Sequence, residues 1–217
     1  MNARNNLKTP ETINDFIFGN PESKLRIEEI CNGTQPIPHA GKVGILLYGT
    51  YGTGKTTLAK LLPKWIEFAK TDCELTYDAE FIACNQTING THVSSLIQKI
   101  LAVHSLNRSG LHYFVIDEVD NLTTPAQESL KSILNTKSGI FILTSNNISK
   151  LEKGLLNRCI VIEMNAAKAH AYLPLAKTII SNTVVNQVDL LSAIIAANGS
   201  MRDLINNVER LARRQNK

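Results

Sequence analysis

The chain of 217 residues is 43% hydrophobic, 19% charged and 6% aromatic, with a formal net charge of +4. This composition suits one globular domain, or one domain with a small appendage, and the charge neither identifies nor opposes a nucleic-acid partner. A polar start, "MNARNNLKTPETIND", the lack of any long apolar run, four scattered cysteines without a CxxC pair and histidines without ligand spacing argue against a signal peptide, a membrane span, a disulfide framework and a zinc site, and lead us to expect a cytoplasmic protein.

In chain order, residues 1–42 hold two short helical candidates and end in "NGTQPIPHAGK", rich in turn formers. The run "VGILLYG" then reads as a strand buried in a parallel sheet. It leads into "LLYGTYGTGKTTLAKLL", Leu46 to Leu62, where Gly49, Gly54, Lys55 and Thr56 satisfy G-x-x-x-x-G-K-[ST] and Gly52 adds a further glycine. Backbone N–H groups can approach a phosphate chain closely only where no Cβ intervenes, and a helix starting near Gly54 aims its amides and dipole at the anion. Lys55 is placed for the β- and γ-phosphates and the Thr56 hydroxyl for Mg²⁺. The phosphate-binding set is therefore Gly49, Tyr51, Gly52, Thr53, Gly54, Lys55, Thr56 and Thr57.

Further strands are expected at "EFIACN", "HYFVIDE", "GIFILTSN" and "CIVIEM", with helices at Val93 to His104 and Pro125 to Asn135. Alternation of this kind predicts a parallel sheet flanked by helices. Asp117 and Glu118 close the apolar run "HYFVID". At a strand end beside a phosphate loop, Asp117 can hold Mg²⁺ and Glu118 can polarise an attacking water, although a helix N-cap also favours acidic residues. After Met164 strand character disappears. Gly199 separates "VDLLSAIIAA" from "MRDLINNVERLARRQ", in which Met201, Leu204, Ile205, Val208 and Leu211 recur at helical spacing. Pro63 and Pro174 fall within helical patterns and are expected to affect those helix limits. We expect an α/β domain over residues 1–165 and a small helical domain over 166–217.

These motifs together resemble AAA+ ATPases, and within them the small subunits of clamp loaders of the replication factor C type. The resemblance implies a P-loop NTPase fold, with a parallel five-stranded sheet, flanking helices and an all-helical lid. "TPETINDFIFGNPESKLRIEE" is similar to the family's adenine-contacting segment, which would place Ile17, Phe18 and Gly19 beside the base. "FIACNQTINGTHV" puts Asn85 at the polar switch position facing the catalytic Glu118. "FILTSNNISKLEKGLLNRC" resembles the sensor 1 strand and arginine-finger motif, making Asn146 sensor 1 and Arg158 the finger, with Asn157 where the family usually has serine. "GSMRDLINNVERL" resembles the lid helix, making Arg202 sensor 2.

From the residues alone, Asn146 can hold water or a γ-phosphate through its amide, or be a polar turn residue after a strand. Arg158 can stabilise transition-state charge in a neighbouring subunit, or be a solvated surface arginine. Arg202 sits poorly against the dipole of its helix, a small cost that a nearby anion would offset.

The leading expectation is an ATP- and Mg²⁺-dependent ATPase of DNA replication or repair, assembled as a homo- or hetero-oligomer through Arg158 acting in trans. A sliding clamp or a helicase would be its protein partner. Lys99, Arg108, Lys131 and Lys137 are candidate DNA-backbone contacts, and the tail "ERLARRQNK" is locally basic. Another AAA+ DNA machine, such as a helicase loader or transposition regulator, would share the site. A nucleotide-dependent scaffold with little hydrolysis is the reading from a different class. The sequence stops at Lys217, before the collar-forming third domain of clamp loaders.

Overall fold

The apolar, β-branched runs form the strands of one sheet. In the computed structural model, which describes residues 9–84, 90–180 and 185–215, these are β1 (Gly44–Tyr48), β2 (Glu80–Ala83), β3 (His112–Asp117), β4 (Gly139–Ser145) and β5 (Cys159–Glu163). All pairings are parallel, as the alternating pattern predicts, and the order is β2-β3-β4-β1-β5. Position in the sheet explains the composition of each strand. All seven residues of β4 are buried, whereas edge strand β2 buries only Ile82.

Eight α-helices accompany the sheet in the described chain: α1 (Pro21–Cys31), α2 (Lys55–Thr71), α3 (Gly90–Leu101), α4 (Thr124–Ile133), α5 (Lys153–Asn157), α6 (Leu173–Ile179), α7 (Gln187–Ala196) and α8 (Met201–Gln215). Two compact units result. One comprises the described residues up to Pro21, Thr50–Gly54 and those from Met164 onward; the other comprises Glu22–Gly49 and Lys55–Glu163. The N-terminal segment and the tip of the glycine loop thus group with the helical part.

In the α/β unit, the pleat sends alternate side chains to opposite faces. Leu46, Phe114, Ile116, Phe141 and Leu143 meet Val93, Ile97, Ala126, Leu130 and Leu155 from α3, α4 and α5. Ile45, Leu47, Tyr113 and Val115 fall on the other face, where α2 packs on β1, β3 and β4. A buried carboxylate fixes that packing: Glu67 of α2 accepts hydrogen bonds from Tyr113 Oη at 2.7 Å and from Ser109 N at 2.8 Å.

Two helix limits differ from expectation. The α2 helix runs through Pro63, because Leu58, Ala59, Leu62, Pro63 and Ile66 are all buried and that packing offsets the missing amide hydrogen bond. The α3 helix starts at Gly90 and stops at Leu101, earlier than the apolar run suggests, leaving Val103 exposed in the following turn.

In the helical unit, Tyr172, Ala176, Ile179, Leu190, Ile194, Leu204 and Val208 form the core, and Ile17, Met201, Ile205 and Leu211 pack against it. Pro174 occupies the first turn of α6, where its missing N–H has no intrahelical partner to lose. No helix among the described residues is long and apolar enough to cross a membrane.

Candidate functional site

The glycine loop joins the end of β1 to the start of α2. Gly52 and Gly54 have φ of +76° and +91°, conformations that side-chain-bearing residues rarely adopt. Space is limiting as well, since a Cβ on Gly52 would lie 2.5 Å from Ser200 Oγ. Thr53 Oγ1 donates to Thr50 O at 3.0 Å and closes the turn. Lys55 is buried and its ammonium donates to Gly49 O at 2.9 Å, folded back over the loop. Thr57 is half-buried, and the Tyr51 ring is 73% exposed.

Register brings the acidic strand end to Thr56 at the start of α2. Tyr48 pairs with Ser145, and Ile116 with Leu143, so the C-termini of β1, β4 and β3 lie side by side. Thr56 Oγ1 donates to Asp117 Oδ1 at 2.7 Å, and Thr144 Oγ1 donates to the same oxygen at 2.6 Å. Thr144 Oγ1 in turn accepts the Glu118 N–H at 2.9 Å. Glu118 is exposed and left-handed, with φ 58° and ψ 50°. A non-glycine residue there costs about 1–2 kcal/mol, a strain that points to function when its side chain is also held. Asn121 Nδ2 holds it, donating to Glu118 Oε2 at 3.1 Å. Asn146 follows β4 directly, and its N–H donates to Asp120 Oδ1 at 3.1 Å.

The acidity is concentrated. Burial first, then the charges of Asp117, Glu118 and Asp120, push the neighbouring Cys84 thiol up to about 12. No cluster of three acidic, histidine or cysteine side chains able to hold a metal occurs among the described residues. The donor set at Thr56 and Asp117, one hydroxyl and one carboxylate, nevertheless suits Mg²⁺, a hard cation that keeps several waters and takes its other ligands from phosphate. Asn85, expected opposite Glu118, lies outside the described residues.

The other expected residues lie elsewhere in the two units. Within the helical unit, Phe16 lies against Gly54, and Ile17 packs on the helical core. Phe18 is half-buried, and a Cβ on Gly19 would meet Asn165 O at 2.6 Å. Asn165 Oδ1 accepts the Thr50 N–H at 3.0 Å, and Met201 N donates to Gly52 O at 2.9 Å. Arg202, the residue after Met201, is exposed. In the α/β unit, Arg158 precedes β5, whose first residue pairs with Gly44 at the N-terminal end of β1. Five residues of β1, roughly 16 Å at about 3.3 Å each, separate that end from Gly49.

Sequence reading missed Thr144, Asp120, Asn121 and Asn165. Thr144 is two residues before Asn146 in an apolar strand, and only the pairing with β3 brings it to Asp117. Lys131, a candidate DNA-backbone contact, is paired with Glu152 at 3.0 Å. Lys99, Arg108 and Lys137 are exposed.

A phosphate-type glycine loop beside an acidic strand end, on a parallel sheet of this order, defines a P-loop nucleotide-binding protein. Residues 45–166 match the ATPase family associated with various cellular activities (AAA), and the chain belongs to that family. It is 26% identical over 201 residues to replication factor C small subunit 1 of Pyrobaculum islandicum, covering 88% of this chain and 56% of that protein. It is 27% identical over 205 residues to human replication factor C subunit 5, covering 91% and 56%. The chain therefore spans little more than half the length of these relatives. Among solved structures, the RuvB Holliday junction branch migration motor of Thermotoga maritima shares the fold, with a TM-score of 0.66 at 18% identity over 93% of this chain and 64% of that one.

Proposed function

We propose that this chain is an ATP-hydrolysing subunit of a DNA-replication assembly of the clamp-loader kind. The observation that carries the chemistry is the hydroxyl–carboxylate cluster at adjoining strand ends: Thr56 and Thr144 both donate to Asp117, and Thr144 also fixes the backbone of Glu118. In this reading Lys55 and the amides opening α2 bind the phosphates. Thr56 and Asp117 hold Mg²⁺, which supplies charge neutralisation on the phosphate oxygens when bound. Glu118, oriented by Asn121, accepts a proton from the attacking water while Asn146 positions that water. The terminal phosphorus–oxygen bond breaks, giving ADP and inorganic phosphate. Ile17 and Phe18 contact the base, and Arg202 contacts the phosphates from the lid.

Arg158 acts on the site of a second chain. Its position at the end of β1 and β5 away from Gly49 supports this, because it makes the chain's own phosphate loop a poor target. An oligomer follows, and the similarity to replication factor C subunits makes a sliding clamp and DNA its expected partners. A helicase loader would use the same residues and differ only in the partner.

ATP turnover measured with primed DNA tests the assignment. Stimulation of several-fold is expected, fading between about 50 and 300 mM salt as phosphate contacts exchange with counterions. Lys99→Glu with Lys137→Glu should weaken that stimulation and leave the DNA-free rate unchanged. A rate indifferent to DNA at every protein concentration that forms oligomers would favour a nucleotide-dependent scaffold.

A further inference from the structure

Arg158 is not loose on the surface. Its Nε donates to Asn135 Oδ1 and its Nη1 to Gly154 O, both at 2.9 Å. A guanidinium is planar and carries five N–H donors, so two anchored atoms fix the orientation of the whole plane. Nη2 makes no hydrogen bond to the described residues.

The anchors are themselves held. Gly154 lies in α5, a helix of five residues that Arg158 caps. Glu152 caps the other end, accepting the Leu155 N–H at 3.1 Å, and pairs with Lys131 at 3.0 Å. Gln127 Oε1 accepts the Glu152 N–H at 2.9 Å. A Cβ on Gly154 would meet Lys131 Cδ at 2.7 Å, so glycine permits this close approach. Asn135 follows α4 by two residues and Lys131 lies in its last turn. The C-terminal end of α4 therefore grips α5 at both ends, through Lys131–Glu152 and Asn135–Arg158.

We propose that Asn135 is a positioning residue for Arg158, setting the plane of the guanidinium so that Nη2 is presented to a phosphate of a second chain. The inference rests on the reading of Arg158 as a finger in trans. Holding a charged group in its productive orientation before assembly removes an ordering cost from the reaction, and small misplacements of such groups are costly.

The test compares the full chain carrying Asn135→Ala, Asn135→Asp or Arg158→Ala at concentrations where oligomers form. Asn135→Ala should lower kcat about tenfold with KM for ATP unchanged, and Asn135→Asp, which keeps the acceptor oxygen, should return kcat to within about threefold of wild type. Adding Asn135→Ala to Arg158→Ala should cause no further loss, because both remove one function. A readout independent of turnover is the Nε–H of Arg158 in ¹⁵N NMR of the chain. Its exchange protection should vanish in Asn135→Ala and persist in Asn135→Asp. If Asn135→Ala is poorly folded, Asn135→Gln displaces the oxygen by one methylene and should show the same loss of kcat.

Wild-type kcat in folded Asn135→Ala or Asn135→Gln, with Arg158→Ala inactive, would overturn the positioning role and leave the finger standing. Loss of kcat in Asn135→Asp as deep as in Asn135→Ala would also overturn it. Wild-type kcat in Arg158→Ala would overturn the finger and this inference together.

Discussion

Thr144 offers one hydroxyl to two groups with different tasks, donating to the Asp117 carboxylate and accepting the backbone N–H of Glu118. Thr144→Val keeps the shape and β-branching of the side chain and removes both bonds. Leaving partly buried groups unpaired should cost about 1–2 kcal/mol of stability, read as a lower urea midpoint at unchanged slope. Because Glu118 loses its support, turnover should fall roughly tenfold while ATP affinity stays within a few-fold. An unchanged rate in the valine variant would show that the left-handed backbone of Glu118 is held without Thr144. At this scale the glycine loop and the acidic pair were legible, because they are contiguous motifs whose chemistry dictates residue type. Thr144, Asn121 and Asn165 were not, since their roles depend on which strand ends and turns the fold sets side by side.

Between residue and molecule, the short α5 is the element least able to stand alone. Five residues cannot sustain a helix in water, so its place depends on its caps and on α4. Lys131 beside Glu152 holds that carboxyl below the usual glutamate range, chiefly through the hydrogen bond it donates. A carboxylate held low in the folded chain contributes stability above its unfolded pKa of about 4.3, and that contribution disappears as pH falls through the lower folded value. The stability difference between wild type and Glu152→Gln should therefore be flat from pH 6 to 8 and shrink under acid conditions, about pH 4 and below. Denaturant titrations across that range check it, and a difference that widened in acid would contradict the pairing.

Elements were legible in proportion to their regularity. The strand runs and the apolar repeat of α8 appear where the sequence places them, because burial selects their residue types. The start of α3 and the continuation of α2 through Pro63 were not legible, since packing rather than local preference decides both.

For the whole molecule, four cysteines report on the α/β unit. Burial pushes the thiols of Cys31, Cys84 and Cys159 up to about 12, whereas Cys73 is exposed. At neutral pH a thiol reagent should modify Cys73 rapidly, half-buried Cys31 more slowly, and buried Cys84 and Cys159 only as the unit unfolds, because the thiolate is the reacting species. Labelling followed by peptide mass spectrometry checks this, and rapid modification of Cys159 would contradict its place in the core.

The α/β unit holds Lys55, Thr56, Asp117, Glu118 and Asn146, the residues of the proposed hydrolysis. In the proposed reaction the acidic strand end hydrolyses the nucleotide bound at Lys55 and Thr56. Glu118→Gln tests it most directly, because the amide keeps the size of the side chain and cannot serve as the base. Measured side by side, affinity for ATP should stay within a few-fold of wild type while turnover drops by about two orders of magnitude or more. A Glu118→Gln chain that hydrolyses ATP at the wild-type rate would rule out Glu118 as the base.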